Sequence, residues 1–183
     1  MNRTILLISA PAKAWAEIVT EASRQKGMSE FVYPMIGLCG LSVFIGTFIG
    51  NTAGASAFQI AMTRCCAVFV SLFGGYFLAS YLTNLLGKHI LGRDDETELN
   101  QQFVGYAMVV TFVLDIISGL FSISILRWIL QFYTILVVYE GSRTLMEVEE
   151  KDLTRYSLIT SVVVMLSPEV IAFIFNKLSI ILN

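Results

Sequence analysis

Four charged side chains stand inside stretches of sequence that are otherwise apolar: Arg64, Asp115, Arg127 and Glu169. A charge placed in hydrocarbon costs about 3 kcal/mol or more, so such a residue is either paired or at work. Asp115 lies about six residues before a short break near Ser122, and Arg127 about five after it. At roughly 1.5 Å of rise per residue the two reach similar depth on adjacent helices, where an ion pair is geometrically allowed. Arg64 and Glu169 enter the apolar stretches at comparable height and would complete a neutral cluster. Three readings are open for this set: a structural pair locking two helices, a proton, ion or ligand site, and a contact for lipid headgroups. Glu140, at the end of its apolar stretch, is either a second polar site at the cytosolic edge or an interfacial charge that reaches water.

Other chemistry finds little footing. His89 is the only histidine and sits beside Lys88, so no multi-histidine zinc site can form. No G-x-S-x-G, H-E-x-x-H or phosphate-cradling glycine loop occurs. The acidic runs at Asp94, Asp95, Glu96 and Glu98 and at Glu147, Glu149, Glu150 and Asp152 lack the glycine-bearing spacing of a calcium loop, and read as solvated faces. Cys39, Cys65 and Cys66 fall in apolar runs without metal-ligand spacing and read as buried free thiols packed as small hydrophobes. The expectation is a protein that is not an enzyme and carries no metal or cofactor. A net charge of −2 with no basic stripe to neutralise phosphates argues against nucleic acid as a partner.

The elements that position these charges are set by hydropathy. Of 183 residues 56% are hydrophobic and 14% charged, against about 25% charged in soluble domains. So few charges cannot cover so much apolar surface in water, and lipid must take the place of water over much of it. A crossing needs roughly 20 apolar residues, and the sequence offers such stretches at about 31–50, 65–86, 103–121, 123–140 and 156–176. The fold expected is all-α: a polytopic membrane bundle of five transmembrane helices over 31–183, preceded by an amphipathic interfacial helix within 1–30. The break after 121 is so short that the third and fourth spans should form a tight antiparallel hairpin. Gly46 and Gly50 form a G-x-x-x-G that lets another helix approach closely. Gly74–Gly75 marks a bend or a close helix contact, and Pro168 should kink the fifth span unless a neighbour satisfies the freed carbonyl.

Before the first span, Trp15, Ile18, Val19 and Ala22 repeat at helical spacing, with Ser9 and Pro11 as start signals and Gly27 as a stop. This helix lies in the headgroup plane or docks against the cytosolic ends of the spans; the pattern serves both. Residues 5–8 are too short an apolar run for a secretory signal, so the first span is expected to act as the insertion signal. With a cytosolic N-terminus, inner segments carry Arg3, Lys13, Arg24, Lys26, Lys88, Arg93, Arg143, Lys151 and Arg155, and outer ends only Arg64, Arg127 and Lys177. That bias sets the orientation and leaves the C-terminus outside.

The order of several short motifs resembles the Yip-domain family of integral membrane proteins, named for interacting with Ypt/Rab GTPases, and in particular its prokaryotic branch. They are PAKAW with Pro11 and Trp15, Tyr33–Pro34 opening the first span, Gly75–Tyr76 in the second, FVGYAM at 103–108 and YEG at 139–141. The resemblance covers nearly the whole chain and implies five spans with a cytosolic N-terminus, here in a bacterial cytoplasmic (inner) membrane. The function expected is that of a membrane-organising or adaptor component that contacts lipids and a protein partner or a second copy. The competing expectation is a small channel or transporter component that uses the polar cluster. A transporter requires a water-filled cavity reaching Arg64, Asp115 or Glu169, whereas an adaptor predicts a dry, closed bundle.

Overall fold

The computed structural model describes residues 2–20, 31–50, 55–121 and 129–181, and among these every regular element is a helix. In chain order they are α1 (Asn2–Ser9), α2 (Pro11–Thr20), α3 (Tyr33–Gly50), α4 (Ala55–Leu91), α5 (Thr97–Ala107), α6 (Val109–Phe121), α7 (Tyr133–Thr144) and α8 (Glu150–Ile181). Four stretches are long and apolar enough to cross a bilayer: Tyr33–Gly50, Ser56–Leu91, Thr97–Phe121 and Glu150–Leu178. The third joins α5 to α6 through Met108, whose N–H reaches the Val104 carbonyl at 2.9 Å, so helical hydrogen bonding carries across the junction. It is also the central helix: 61% of its apolar window is buried inside the protein, against 28–33% for the others. The outward surfaces of the others are dressed in large apolar side chains such as Ile49, 76% exposed, and Phe173, 63% exposed. Facing water these would be untenable; facing lipid they are at home.

The stretch at 123–140 begins in residues 122–128, outside the described residues, and so does the hairpin turn. The next helix in the chain, α7, packs mainly on α2 and α8 and only slightly on α6. The tight pairing of third and fourth spans expected from the short break is therefore not the main contact of α7. The reason lies on α7 itself, where Val137, Val138 and Gly141 are buried and a Cβ at Gly141 would come within 2.6 Å of the Trp15 ring. Trp15 is fully buried. Its indole Nε1–H donates to the Val137 carbonyl at 2.9 Å, and its ring meets Phe103 and Tyr106 at 5.6 and 6.1 Å. Of the two readings of the N-terminal helix, docking on the protein's own helices is the one these contacts realise. The short run at 5–8 lies in α1, with Leu7 buried and the Ile8 carbonyl accepting from the Tyr133 hydroxyl at 2.7 Å.

The second and last spans extend past their expected bounds. With 37 residues α4 is about 55 Å long, well beyond a hydrocarbon core of about 30 Å. Helix α8 runs through Pro168, and a Cβ on Gly75 would lie 2.6 Å from the Pro168 backbone. The glycine pair in α4 thus serves a close helix contact. Gly46 is used in the same way: a Cβ there would collide with the Gly119 carbonyl of α6. The G-x-x-x-G is therefore half spent inside the bundle, while among the described residues nothing lies within 4 Å of a Cβ on Gly50. Cys39 is buried, its thiol 3.3 Å from the Phe112 carbonyl, but Cys66 is exposed on the outer surface of α4, contrary to the expectation of three buried thiols.

Candidate functional site

At the end of the bundle where α3, α6 and α8 finish and α4 begins, four helices draw apart around a cavity of about 660 Å³. Arg64 on α4, Asp115 on α6 and Glu169 on α8 all line it. Smaller polar groups fill the intervals: Thr47 on α3, Ser71 on α4, Ser118 on α6 and Asn176 on α8. Arg64 is exposed, while Asp115 and Glu169 are half-buried, so the cation stands further out than the two carboxylates. Neither Asp115 nor Glu169 is without a partner. Arg127, expected to pair with Asp115, lies outside the described residues.

Local sequence explains why the cavity can exist. On α4 Arg64 is followed by Ala67, Val68 and Ser71, three, four and seven residues on, and on α8 Glu169 is followed by Ala172 and Asn176. These spacings line one helix face with small side chains around each charge. Where Gly46 meets Gly119, α3 and α6 come into backbone contact and fix one wall. Leu72 of the lining is fully buried, and so are Cys39, Phe112 and Val164, each about one helical turn deeper than the lining residues Val43, Asp115 and Pro168. The alanine at i+3 and the small polar residue at i+7 from both Arg64 and Glu169 were the signal that sequence reasoning passed over.

A family model, the Yip1 domain, matches residues 5–171. The chain belongs to the Yip1-domain family. It is accordingly an integral membrane protein, as its apolar helices require. No curated protein and no solved structure matches the chain. The family match takes in α1 to α7 and most of α8, so the cavity of this Yip1-domain protein is built from within the matched region, apart from Ala172 and Asn176.

The other charges expected from the sequence go elsewhere. Glu140 is half-buried on α7 near the opposite end of the bundle and does not join the cavity. At that same end Asp95 accepts from the Thr97 hydroxyl at 2.6 Å, the Asn84 amide at 2.8 Å and the Lys88 ammonium at 2.9 Å. Together these donors hold its carboxyl well below the usual range, Thr97 contributing most. The first acidic run is thus partly a clamp between α4 and α5 rather than only a solvated face. In the second run, Lys151 pairs with Glu149 at 2.7 Å and holds the Glu149 carboxyl below its ordinary value.

Proposed function

We propose that this Yip1-domain protein organises its membrane by binding, without catalysis, and that the polar cavity at its outer end is where it holds a ligand. The observation that carries this reading is the convergence of Arg64, Asp115 and Glu169 from three helices on one cavity. A pure scaffold would fill that space with apolar side chains, because cavities and charges held within a membrane both cost stability. The cavity therefore moves the reading from a dry adaptor to an organiser with a polar pocket. Its size falls within the roughly 300–1,000 Å³ typical of small-molecule sites. We place it in a bacterial cytoplasmic membrane, with the N-terminus cytosolic and the cavity toward the outside, on the distribution of Lys and Arg.

The transporter reading is favoured by the same cavity and is separated from ours by what lies deeper in the helices that line it. There Cys39, Leu72, Phe112 and Val164 are all fully buried, which supports a closed bundle. Proteoliposomes should be no more permeable to ions and small polar solutes than protein-free vesicles. Flux that appears with the wild type and vanishes with Asp115→Ala would establish transport instead.

A further inference from the structure

A hydroxyl buried on a helix commonly returns to a carbonyl of that helix, as Ser71, Ser80, Ser157, Ser161 and Ser167 all do. Thr83 on α4 and Thr160 on α8 do not. Both are fully buried, and among the described residues neither Oγ1 has a hydrogen-bond partner. The same holds for the hydroxyl of the fully buried Tyr156 on α8 and for Asn100 Oδ1 on α5, a residue 2% exposed. Buried polar atoms left unmet are costly and rare, so four of them in one region call for a partner.

The four share one level of the bundle. Helices α4 and α8 run antiparallel and touch where Gly75 meets Pro168. Thr83 lies eight residues on from the one and Thr160 eight residues back from the other, about 12 Å along each helix. Tyr156 is one turn from Thr160, their oxygens close enough to influence each other but not aligned to bond. Tyr156 also stands within electrostatic reach of Glu96. One turn on from Glu96 is Asn100, whose Nδ2 donates to the Glu96 carbonyl at 2.9 Å. That carbonyl can only accept, so the atom left unbonded on Asn100 is its amide oxygen. Nδ2 also donates at 3.1 Å to Asn84 Oδ1, the neighbour of Thr83 in sequence. Room exists on the same face of α4. Gly87, one turn beyond Thr83, is buried, yet among the described residues nothing lies within 4 Å of a Cβ on it.

Whatever fills this space must both donate and accept. Asn100 Oδ1 needs a donor, while the hydroxyls of Thr83, Tyr156 and Thr160 need somewhere to place their protons. A metal cation would satisfy the amide oxygen and leave the hydroxyl protons unmet; water serves all of them. We infer that a buried water-binding site lies between α4, α5 and α8, its ordered water held by Thr83, Asn100, Tyr156 and Thr160. It stands toward the end of the bundle opposite the polar cavity and is independent of the ligand reading given to that cavity. The water has a structural task. Asp95 accepts from Asn84, and Asn84 from Asn100, so a chain of hydrogen bonds leads inward from the surface and stops at Asn100 Oδ1. Water carries that chain across to Tyr156 and Thr160, and so ties α8 to the clamp that Asp95 holds between α4 and α5.

The test is radiolytic footprinting of the purified full-length protein in detergent, where an X-ray pulse turns bound water into hydroxyl radicals that oxidise the adjoining side chain. Tyr156 should gain oxygen several times faster than Tyr76, which is equally buried but has its hydroxyl bonded to the Gln101 carbonyl at 3.1 Å. Labelling of Tyr156 no faster than Tyr76 would overturn the inference. Isosteric replacement gives a second readout whose sign decides. Thr83→Val and Thr160→Val should each lower the detergent unfolding temperature by a few degrees, because each removes a hydrogen bond to the water. An unchanged or higher unfolding temperature in both would mean an empty polar void and overturn it, since deleting an unbonded buried hydroxyl removes its desolvation cost. An unfolding temperature that shifts when sodium is exchanged for potassium or choline at constant ionic strength would assign the site to a cation and overturn the water assignment.

Discussion

Trp15 ties the N-terminal helix α2 to α5 and α7, and its loss should be felt accordingly. Trp15→Ala removes a fully buried ring that packs on Phe103 and Tyr106, a change that costs about 3–5 kcal/mol in well-packed sites. Trp15→Phe keeps most of the packing but removes the hydrogen bond to the Val137 carbonyl, at about 1 kcal/mol. Thermal unfolding in detergent should rank the wild type highest, Trp15→Phe next and Trp15→Ala lowest. Asp95 gives a pH-dependent prediction. Its folded carboxyl is held below the ordinary value, so the stabilisation is complete above that value, about 3.9, and is lost as pH falls through the lowered one. Asp95→Asn should therefore unfold below the wild type at pH 7, with the gap narrowing only at pH under about 4. At this scale the sequence was informative where a charge interrupts an apolar run, as at Arg64, Asp115 and Glu169. It was silent on Trp15, because an amphipathic stripe buries its tryptophan equally well in lipid or in protein.

Between helices the determinants are small residues, and the sequence marks them without saying which neighbour each one meets. Gly46 meets Gly119, Gly75 meets Pro168, and Gly37 meets nothing within 4 Å. Gly46→Val and Gly75→Val should each push a helix pair apart and lower the detergent unfolding temperature by many degrees, since the clash is with backbone that cannot rotate away. Gly37→Ala should leave it unchanged or slightly higher, because a helical glycine without a contact gains from the methyl group. The same substitutions made to probe dimerisation through a G-x-x-x-G would mislead, because Gly46 already serves the fold. Helix existence was legible from hydropathy, but helix ends were not. Hydropathy reports where hydrocarbon begins, and α4 and α8 keep their backbone hydrogen bonds well past it.

Among the described residues the molecule is a central helix, Thr97–Phe121, ringed by others that turn apolar side chains outward and leave a polar space at one end. The all-α membrane fold could be derived from composition and apolar run length alone. That three charges share a cavity could not, since depth along separate helices fixes height but not azimuth; only the packing of α3, α4, α6 and α8 brings them to one point. The account stands on that cavity being wet and open to the outer side. Its most direct test is Asp115→Cys in a chain otherwise freed of Cys39, Cys65 and Cys66, treated in right-side-out and inverted vesicles with a membrane-impermeant thiol reagent. The account predicts rapid modification from the outer face alone, slowed by Arg64→Trp at the rim; a thiol unreactive from both faces, or labelled only from the cytosolic one, would contradict it.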